Sequence, residues 1–233
     1  MRFLMKRICF VFPLLLFLTL FINSCSGPII YKPNHIWEFK VTRTDSKIVD
    51  TLQFKTTDES WQILMKKCIW QFPIRKDTAG KVMITQTTGI MDIKVCFPLS
   101  LLFSSKIDFS PPEWEYLKYS WIIPIKIKFP ITVGQTIKLN KTFGSKRPPS
   151  DEFRQLKVNG FVKVIGRKFY SNPLVNDTCW VLEASSKSKI GEFNAKYYFN
   201  EKFGFVYMFY DFKKYQVEME LIDFKKIDHT VVN

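Results

Sequence analysis

The first 24 residues constrain this chain most, because they read basic, then apolar, then small. The basic residues are Arg2, Lys6 and Arg7. An uncharged, mostly apolar run follows over residues 8–22. It is shorter than the roughly 20 apolar residues of a membrane-spanning helix, and Pro13 weakens a helix interior further. This order is typical of an export signal that is cleaved off. The sequence therefore predicts that residues 1–24 are a signal peptide whose apolar part forms a helix.

Cys25 is the predicted point of attachment to a membrane. The segment from Ile22 to Cys25 has an aliphatic residue three positions before the cysteine and a small one, Ser24, directly before it. This pattern is typical of the cleavage site of bacterial lipoproteins, and cleavage leaves the Cys25 sulfur to carry acyl chains. Two or more chains hold a protein stably on a bilayer. Residues 25–35 would then be a lipidated tether. An ordinary cleaved signal and an uncleaved anchor are the alternatives.

The residues after the cysteine indicate which membrane the anchor occupies. Ser26 follows Cys25, and no acidic residue appears before Glu38. An aspartate directly after the cysteine often marks retention in the inner membrane, and acidic clusters often mark export to the surface. Neither signal is present, so we expect a cell-envelope protein on the periplasmic face of the outer membrane.

The mature chain is strongly basic. The leader contributes three basic residues and no acidic ones, so the formal charge of +14 falls to +11 without it. Such a charge favours approach to anionic partners. After export these are lipid headgroups, lipopolysaccharide phosphates or acidic glycans, and not nucleic acid. The alternative is that the lysines coat the polar faces of strands and protect sheet edges.

Alternation of apolar and polar residues predicts a body made of β-strands. The clearest runs are 37–41, 193–199 and 217–221, and no stretch of the mature chain shows sustained helical periodicity. Asn159-Gly160 between two apolar runs predicts a tight hairpin, and Gly204 predicts a turn between two antiparallel strands. We expect one mostly antiparallel, all-β domain over residues 36–228, either an open curved sheet of the half-barrel kind or a sandwich.

Two local features refine this prediction. Pro124 and Pro130 interrupt an alternating run and remove backbone donors, which places that run at a sheet edge or in an extended crossover. The three cysteines after Cys25 lie in apolar runs with no metal-ligand spacing. They are Cys68, Cys96 and Cys179. We expect buried free thiols, and one disulfide is the alternative.

No pattern for catalysis, for a cofactor or for a metal is present. The two histidines are His35, in the predicted tether, and His229, close to the end of the sequence, and neither position suits a triad or a metal site. Carboxylate pairs with a spacing of two lie on one face of a strand. These pairs are Glu113 with Glu115 and Glu218 with Glu220. A solvated strand face explains them as well as acid–base chemistry does, so we expect no enzyme and no catalytic, cofactor or metal residue.

Two stretches resemble a group of uncharacterised envelope lipoproteins of the Bacteroidetes. The first contains Pro111-Pro112, Tyr116-Leu117, Pro124, Phe129-Pro130 and Val133-Gly134-Gln135. The second runs from Cys179 to Ala184 and continues through Ser188, Gly191, Tyr198-Phe199-Asn200, Gly204-Phe205-Val206, Tyr210 and Glu220-Leu221. They cover about half of the mature chain. The aromatic strand around Gly204 is also similar to half-barrel lipoprotein carriers. The resemblance brings no established activity with it.

A hydrophobic ligand is the positive functional expectation. Aromatic residues make up 16% of the chain, and an open curved sheet with an apolar concave face suits a lipid. We expect a lipid-anchored, non-enzymatic binding or carrier module for a hydrophobic or anionic envelope ligand. The alternative is a scaffold lipoprotein in an envelope complex, and a weaker one is an envelope hydrolase. An aromatic-rich core that leaves no cavity would equally explain the composition.

Overall fold

A computed structural model describes most of the chain after Ser24. It covers residues 25–26, 29–46, 49–62, 65–75, 81–93, 95–96, 105–110, 112, 115–144 and 151–227. The predicted signal peptide and its helix lie outside these residues, as does His229.

The described residues form fourteen β-strands and two 3-10 helices. The strands are β1 (Cys25–Ser26), β2 (His35–Arg43), β3 (Val49–Gln62), β4 (Met65–Arg75), β5 (Lys81–Ile93), β6 (Val95–Cys96), β7 (Lys106–Phe109), β8 (Lys126–Lys128), β9 (Thr136–Thr142), β10 (Lys157–Ser171), β11 (Asn176–Ser188), β12 (Gly191–Asn200), β13 (Gly204–Asp211) and β14 (Gln216–Lys226). The 3-10 helices span Glu115–Ile122 and Asp151–Phe153. The sequence pattern did not predict either helix.

Twelve of the strands make one antiparallel sheet. Their order is β8-β7-β5-β4-β3-β2-β14-β13-β12-β11-β10-β9, and β1 pairs with β6 separately. Residues of both edge strands, β8 and β9, line the same cleft, so the sheet curves round until its edges face each other. The fold is therefore a nearly closed barrel, and the prediction of a mostly antiparallel, all-β protein is confirmed.

Aromatic side chains fill the inside of the barrel. Strand alternation turns every second residue of β2, β12 and β14 inward, which confirms the three clearest sequence runs. Among the described residues, the largest fully buried side chains are Trp37, Trp70, Tyr31, Tyr197, Tyr210, Phe39, Phe54, Phe153, Phe199, Phe205, Phe212 and Leu52. A barrel of twelve strands encloses a wider space than one of eight, and these large rings occupy it. The aromatic composition thus reflects a packed core.

The edge strand β8 and the turn at Gly204 agree with the sequence predictions. β8 lies between Pro124 and Pro130 and forms one end of the sheet order. Gly204 has a φ of +82°, a value at which a side chain is strained, and it starts β13 directly after the β12–β13 turn.

The hairpin predicted at Asn159-Gly160 is wrong. Both residues lie inside the continuous strand β10, paired with Asn140 and Leu139 of β9 on one side. On the other side Gly160 pairs with Ser186, and a Cβ atom on Gly160 would lie 2.4 Å from the carbonyl oxygen of Ser185. The glycine is needed for close approach of two strands and not for a turn.

Cys68 and Cys179 are buried free thiols. Burial raises the pKa of Cys68 to about 12 and that of Cys179 to about 11, so both stay protonated at neutral pH. The side chain of Cys96 lies outside the described residues. Within the residues that the structure describes, no helix has the length and hydrophobicity to cross a membrane.

Candidate functional site

Cys25 begins the described part of the chain. Its backbone pairs with that of Cys96 between β1 and β6. Lipidation of Cys25 stays a prediction, and so do the boundaries of the tether. An anchor at Cys25 would connect to the barrel through residues 30 and 31.

A buried carboxylate holds the segment that leads from Cys25 into the barrel. Oδ2 of Asp92 accepts the backbone N–H groups of Ile30 (3.0 Å) and Tyr31 (2.9 Å). The ammonium of Lys66 donates to the carbonyl of Tyr31 at 2.8 Å. Burial raises the pKa of Asp92 and lowers that of Lys66. Part of the predicted tether therefore packs against the body through a buried polar cluster.

Tyr31 extends this contact into the core. Its side chain is 1% exposed, and its phenolic oxygen accepts the backbone N–H of Phe205 at 3.0 Å. A Cβ atom on Gly204 would lie 2.4 Å from that oxygen. The ring contacts three core aromatics, Trp37, Phe54 and Phe109. The described residues around Tyr31, just before β2, are thereby a fixed part of the barrel.

A cleft lies where the barrel fails to close. Its volume is about 300 Å³, at the lower end of the range for ligand pockets. The described residues show no pairing between β8 and β9, and the cleft occupies this seam. We call it the seam cleft. Its lining residues are Met65, Gly89, Asp108, Phe109, Ser110, Trp121, Ile123, Pro124, Ile125, Lys126, Leu139 and Lys141.

The seam cleft combines apolar walls with a few polar groups. Lys126 pairs with Asp108 across β7 and β8 at 2.9 Å. Lys141 forms no ion pair with a described carboxylate, and its ammonium lies 4.2 Å from the ring centroid of Phe143. Burial lowers the pKa of Lys141, with Asp108 opposing. The indole N–H of Trp121 is buried and has no hydrogen-bond partner among the described residues. An apolar ligand with one anionic group would match these walls and the Lys141 ammonium.

A second concave site lies on the outside of the barrel. The register of β10 with β11 shifts between Val164 and Gly166, and such a bulge bends a strand pair. The tip of the β10–β11 hairpin therefore folds over the sheet and reaches β14, which is three positions from β11 in the sheet order. There the Tyr170 hydroxyl donates to the Glu220 carboxylate at 3.1 Å. Between the hairpin and the sheet lies a groove of about 430 Å³, which we call the hairpin groove.

The residues singled out in the sequence have structural roles where they are described. His35 begins β2 and stacks on Phe224 at 5.5 Å. Glu218 and Glu220 both point outward from β14, as their spacing predicts. Glu220 accepts hydrogen bonds from the hairpin tip. The side chain of Glu115 lies outside the described residues, as does Glu113. Among the described residues no group of three metal-ligating side chains occurs.

Sequence reasoning missed Asp92, Trp121 and Lys141. Asp92 becomes notable only through the amides of residues 30 and 31, far away in the chain, and Trp121 and Lys141 only through the seam cleft that they line. The only sequence signal for any of these three residues is the position of Lys141. It follows Ile137 and Leu139 on the less exposed face of β9, where an apolar residue is expected.

Comparison with known proteins gives structural neighbours only. No family model matches the chain, and no curated protein matches it. A proposed exported protein with a YmcC-like fold from Bacteroides fragilis is 10% identical, with a TM-score of 0.44. A proposed lipoprotein from Parabacteroides distasonis is 9% identical, with a TM-score of 0.49. A β-barrel-like protein of a domain of unknown function from Brucella abortus is 10% identical, with a TM-score of 0.45.

Each of these comparisons covers 87% of this chain and 100% of the other. At this identity no residue role passes from them to this chain.

Proposed function

We propose that this chain is an exported, lipid-anchored binding module of the cell envelope, without enzymatic activity. Its ligand is a small hydrophobic molecule with one anionic group, bound in the seam cleft. The observation that carries this proposal is an apolar cleft lined by the Lys141 ammonium, which forms no ion pair with a described carboxylate. A carboxylate beside this ammonium would pair with it, and its alkyl chain would cover the apolar walls.

The packed core argues for the seam as the binding place. Phe54 lies 4.5 Å from Trp70 and 5.2 Å from Phe109 between ring centroids. Rings at these separations leave no room for an acyl chain between them. The seam reaches the same core from the side, because Phe109 lines the cleft and is only 3% exposed.

A medium-chain fatty acid such as decanoate is a suitable probe, measured by titration calorimetry on the mature chain. Leu139→Trp fills the cleft and should abolish binding. Lys141→Met removes the charge and should weaken binding about tenfold, which corresponds to one charge-assisted hydrogen bond. Lys138→Met is the matched control, because Lys138 is exposed on the opposite face of β9, and it should leave binding unchanged.

Two results would contradict the proposal. One is decanoate binding that Leu139→Trp leaves intact. The other is material from native membranes that carries no lipid in native mass spectrometry. Intact-mass analysis of the same material tests the anchor separately, since acylation of Cys25 adds a known mass.

A scaffold role is the second candidate, favoured by exposed apolar side chains on β10. Phe161, Ile165 and Phe169 are 41%, 40% and 61% exposed. Exposed apolar patches often mark interaction surfaces. Mild-detergent purification from native membranes that yields a stoichiometric protein partner, lost in Phe161→Ser, would support this role over ligand binding.

A further inference from the structure

The hairpin groove has a rigid overhanging wall. At the tip of the β10–β11 hairpin, Asn172 donates from Nδ2 to the Leu221 carbonyl at 2.9 Å. Oδ1 of the same side chain accepts the backbone N–H groups of Leu174 (3.0 Å) and Val175 (2.6 Å). These bonds join the tip to the outer edge of β14 and fix its own turn. The groove is thereby a formed site and does not depend on a mobile loop.

The floor of the groove is aromatic, which is unusual for the outward face of a strand. Tyr198 of β12 pairs directly with Tyr207 of β13, and their ring centroids are 5.5 Å apart. Tyr170 of the hairpin lies 5.3 Å from Tyr198, and Phe209 continues the floor. Outward strand faces normally carry polar residues, so four rings at one place indicate a surface that something covers.

A bulge in β13 helps to build this floor. Alternation predicts Phe205, Tyr207 and Phe209 on one side, but Phe205 points into the core. The register shifts between Tyr198 and Phe199, and the extra residue reverses the direction of the side chains. Tyr207 and Phe209 therefore face outward into the groove.

Charged groups border the rings. Lys168 lies on the hairpin side, Lys196 on the β12 side and Glu218 on the β14 side. Neither lysine forms an ion pair with a described carboxylate. The Lys196 ammonium lies 5.9 Å from the Tyr198 ring centroid. Two carboxylates lie beside the rings, but Glu218 is hydrogen-bonded with Tyr207 and Glu220 accepts from Tyr170. The two lysines are therefore the rim charges without a described partner of opposite charge, and a ligand that carries negative charge complements them.

We propose that the hairpin groove binds an acidic saccharide. A pyranose ring has C–H bonds on its faces and hydroxyl groups around its edge. The C–H faces suit the electron-rich faces of tyrosine and phenylalanine rings. Hydroxyls at the edge find donors and acceptors in Ser171, Glu218 and the lysines. A carboxylate on the sugar pairs with Lys168 and Lys196, whereas an acyl chain would leave these rim groups without partners.

Titration calorimetry with tri-galacturonate, beside a neutral trisaccharide of the same length, tests this site. The mature chain should bind the acidic trisaccharide at least tenfold more tightly than the neutral one. Lys196→Gln should reduce that preference severalfold, and Phe169→Ala should weaken binding of both sugars about fivefold. Phe169 is 61% exposed, so its replacement leaves the fold intact. Lys187→Gln, an outward lysine of β11 away from the groove, is the matched control and should change nothing.

Three outcomes would overturn the site. They are equal affinity for the neutral and the acidic sugar, unchanged binding in both Lys196→Gln and Phe169→Ala, and equally tight binding of an acidic peptide such as tetraglutamate. Leu139→Trp in the seam cleft should leave saccharide binding intact. A failure of decanoate binding therefore leaves this site standing, and the reverse holds as well.

Discussion

Replacing Tyr31 tests whether the segment just before β2 belongs to the core. Tyr31→Phe removes only the phenolic oxygen. That oxygen accepts the Phe205 N–H at 3.0 Å, and Phe205 is fully buried. A buried donor left without an acceptor costs about 1–3 kcal/mol. Removal of a buried hydroxyl offsets part of that cost. We expect a loss of about 1–2 kcal/mol in the free energy of unfolding.

Tyr31→Ala should cost considerably more. It also removes a ring whose centroid lies 5.0 Å from that of Trp37, 5.9 Å from Phe54 and 5.7 Å from Phe109. Deletion of a buried aromatic ring costs about 3–5 kcal/mol. Together with the unsatisfied N–H the loss approaches the whole stability of many domains, about 5–15 kcal/mol, so this variant should be largely unfolded at 37 °C.

Equilibrium unfolding in urea provides the measurement, with tryptophan fluorescence and circular dichroism as two probes. With a slope of about 2 kcal/mol per molar urea, Tyr31→Phe should lower the midpoint by about 0.5–1 M. Tyr198→Phe is the control, because Tyr198 is half-buried on the outer face, and it should stay within about 0.5 kcal/mol of the parent. If Tyr31→Phe unfolds at the same midpoint as this control, the segment before β2 is only a linker.

Three further predictions concern the same end of the barrel and the thiols. Gly204→Ala should lower the free energy of unfolding in urea by about 3 kcal/mol or more. The alanine would be strained at a φ of +82°, and its Cβ atom would lie 2.4 Å from the Tyr31 oxygen. An effect smaller than that of Tyr31→Phe would refute the close contact. The raised pKa of Asp92 means that its contribution to stability is present below the unfolded pKa of about 3.9 and is lost as pH rises through the folded pKa. The urea midpoint of the parent minus that of Asp92→Asn should therefore fall from pH 4 to pH 7, and parallel curves would contradict this. Cys68 and Cys179, with pKa values raised to about 12 and about 11 by burial, should resist a thiol reagent at pH 8 until urea unfolds the chain, as peptide mapping can check.

Most of the fold could be predicted from the sequence because each strand buries one face. The runs that became β2, β12 and β14 show period-two alternation, and Gly204 marks its turn. The error at Asn159-Gly160 has a physical cause, since a glycine required by close approach of the Ser185 carbonyl looks the same as a glycine required by a turn. Only the neighbouring strand distinguishes the two.

The candidate sites could not be predicted because they depend on interruptions of the sheet. Trp121 comes from a 3-10 helix without a clear apolar pattern, and Lys141 comes from an edge strand. They meet only because β8 and β9 stay unpaired along the described seam. The hairpin groove depends on the bulge near Gly166, a position at which a Cβ atom would meet nothing within 4 Å. Neither a missing strand pair nor a bulge has a local composition that identifies it.

The packed core also explains why the two candidate sites lie at these interruptions. A regular antiparallel sheet covers its inner face with its own side chains and leaves an outer face that is convex in a barrel. Concave surface then arises where the pairing stops, as at the seam, or where the register shifts and a hairpin folds back over the sheet. The ligands that suit the two places differ, because the seam reaches the apolar core through Phe109 while the groove has phenol and ammonium groups around Tyr207. The two proposed ligands, an acyl chain at the seam and a sugar on the outer face, would therefore not compete with each other.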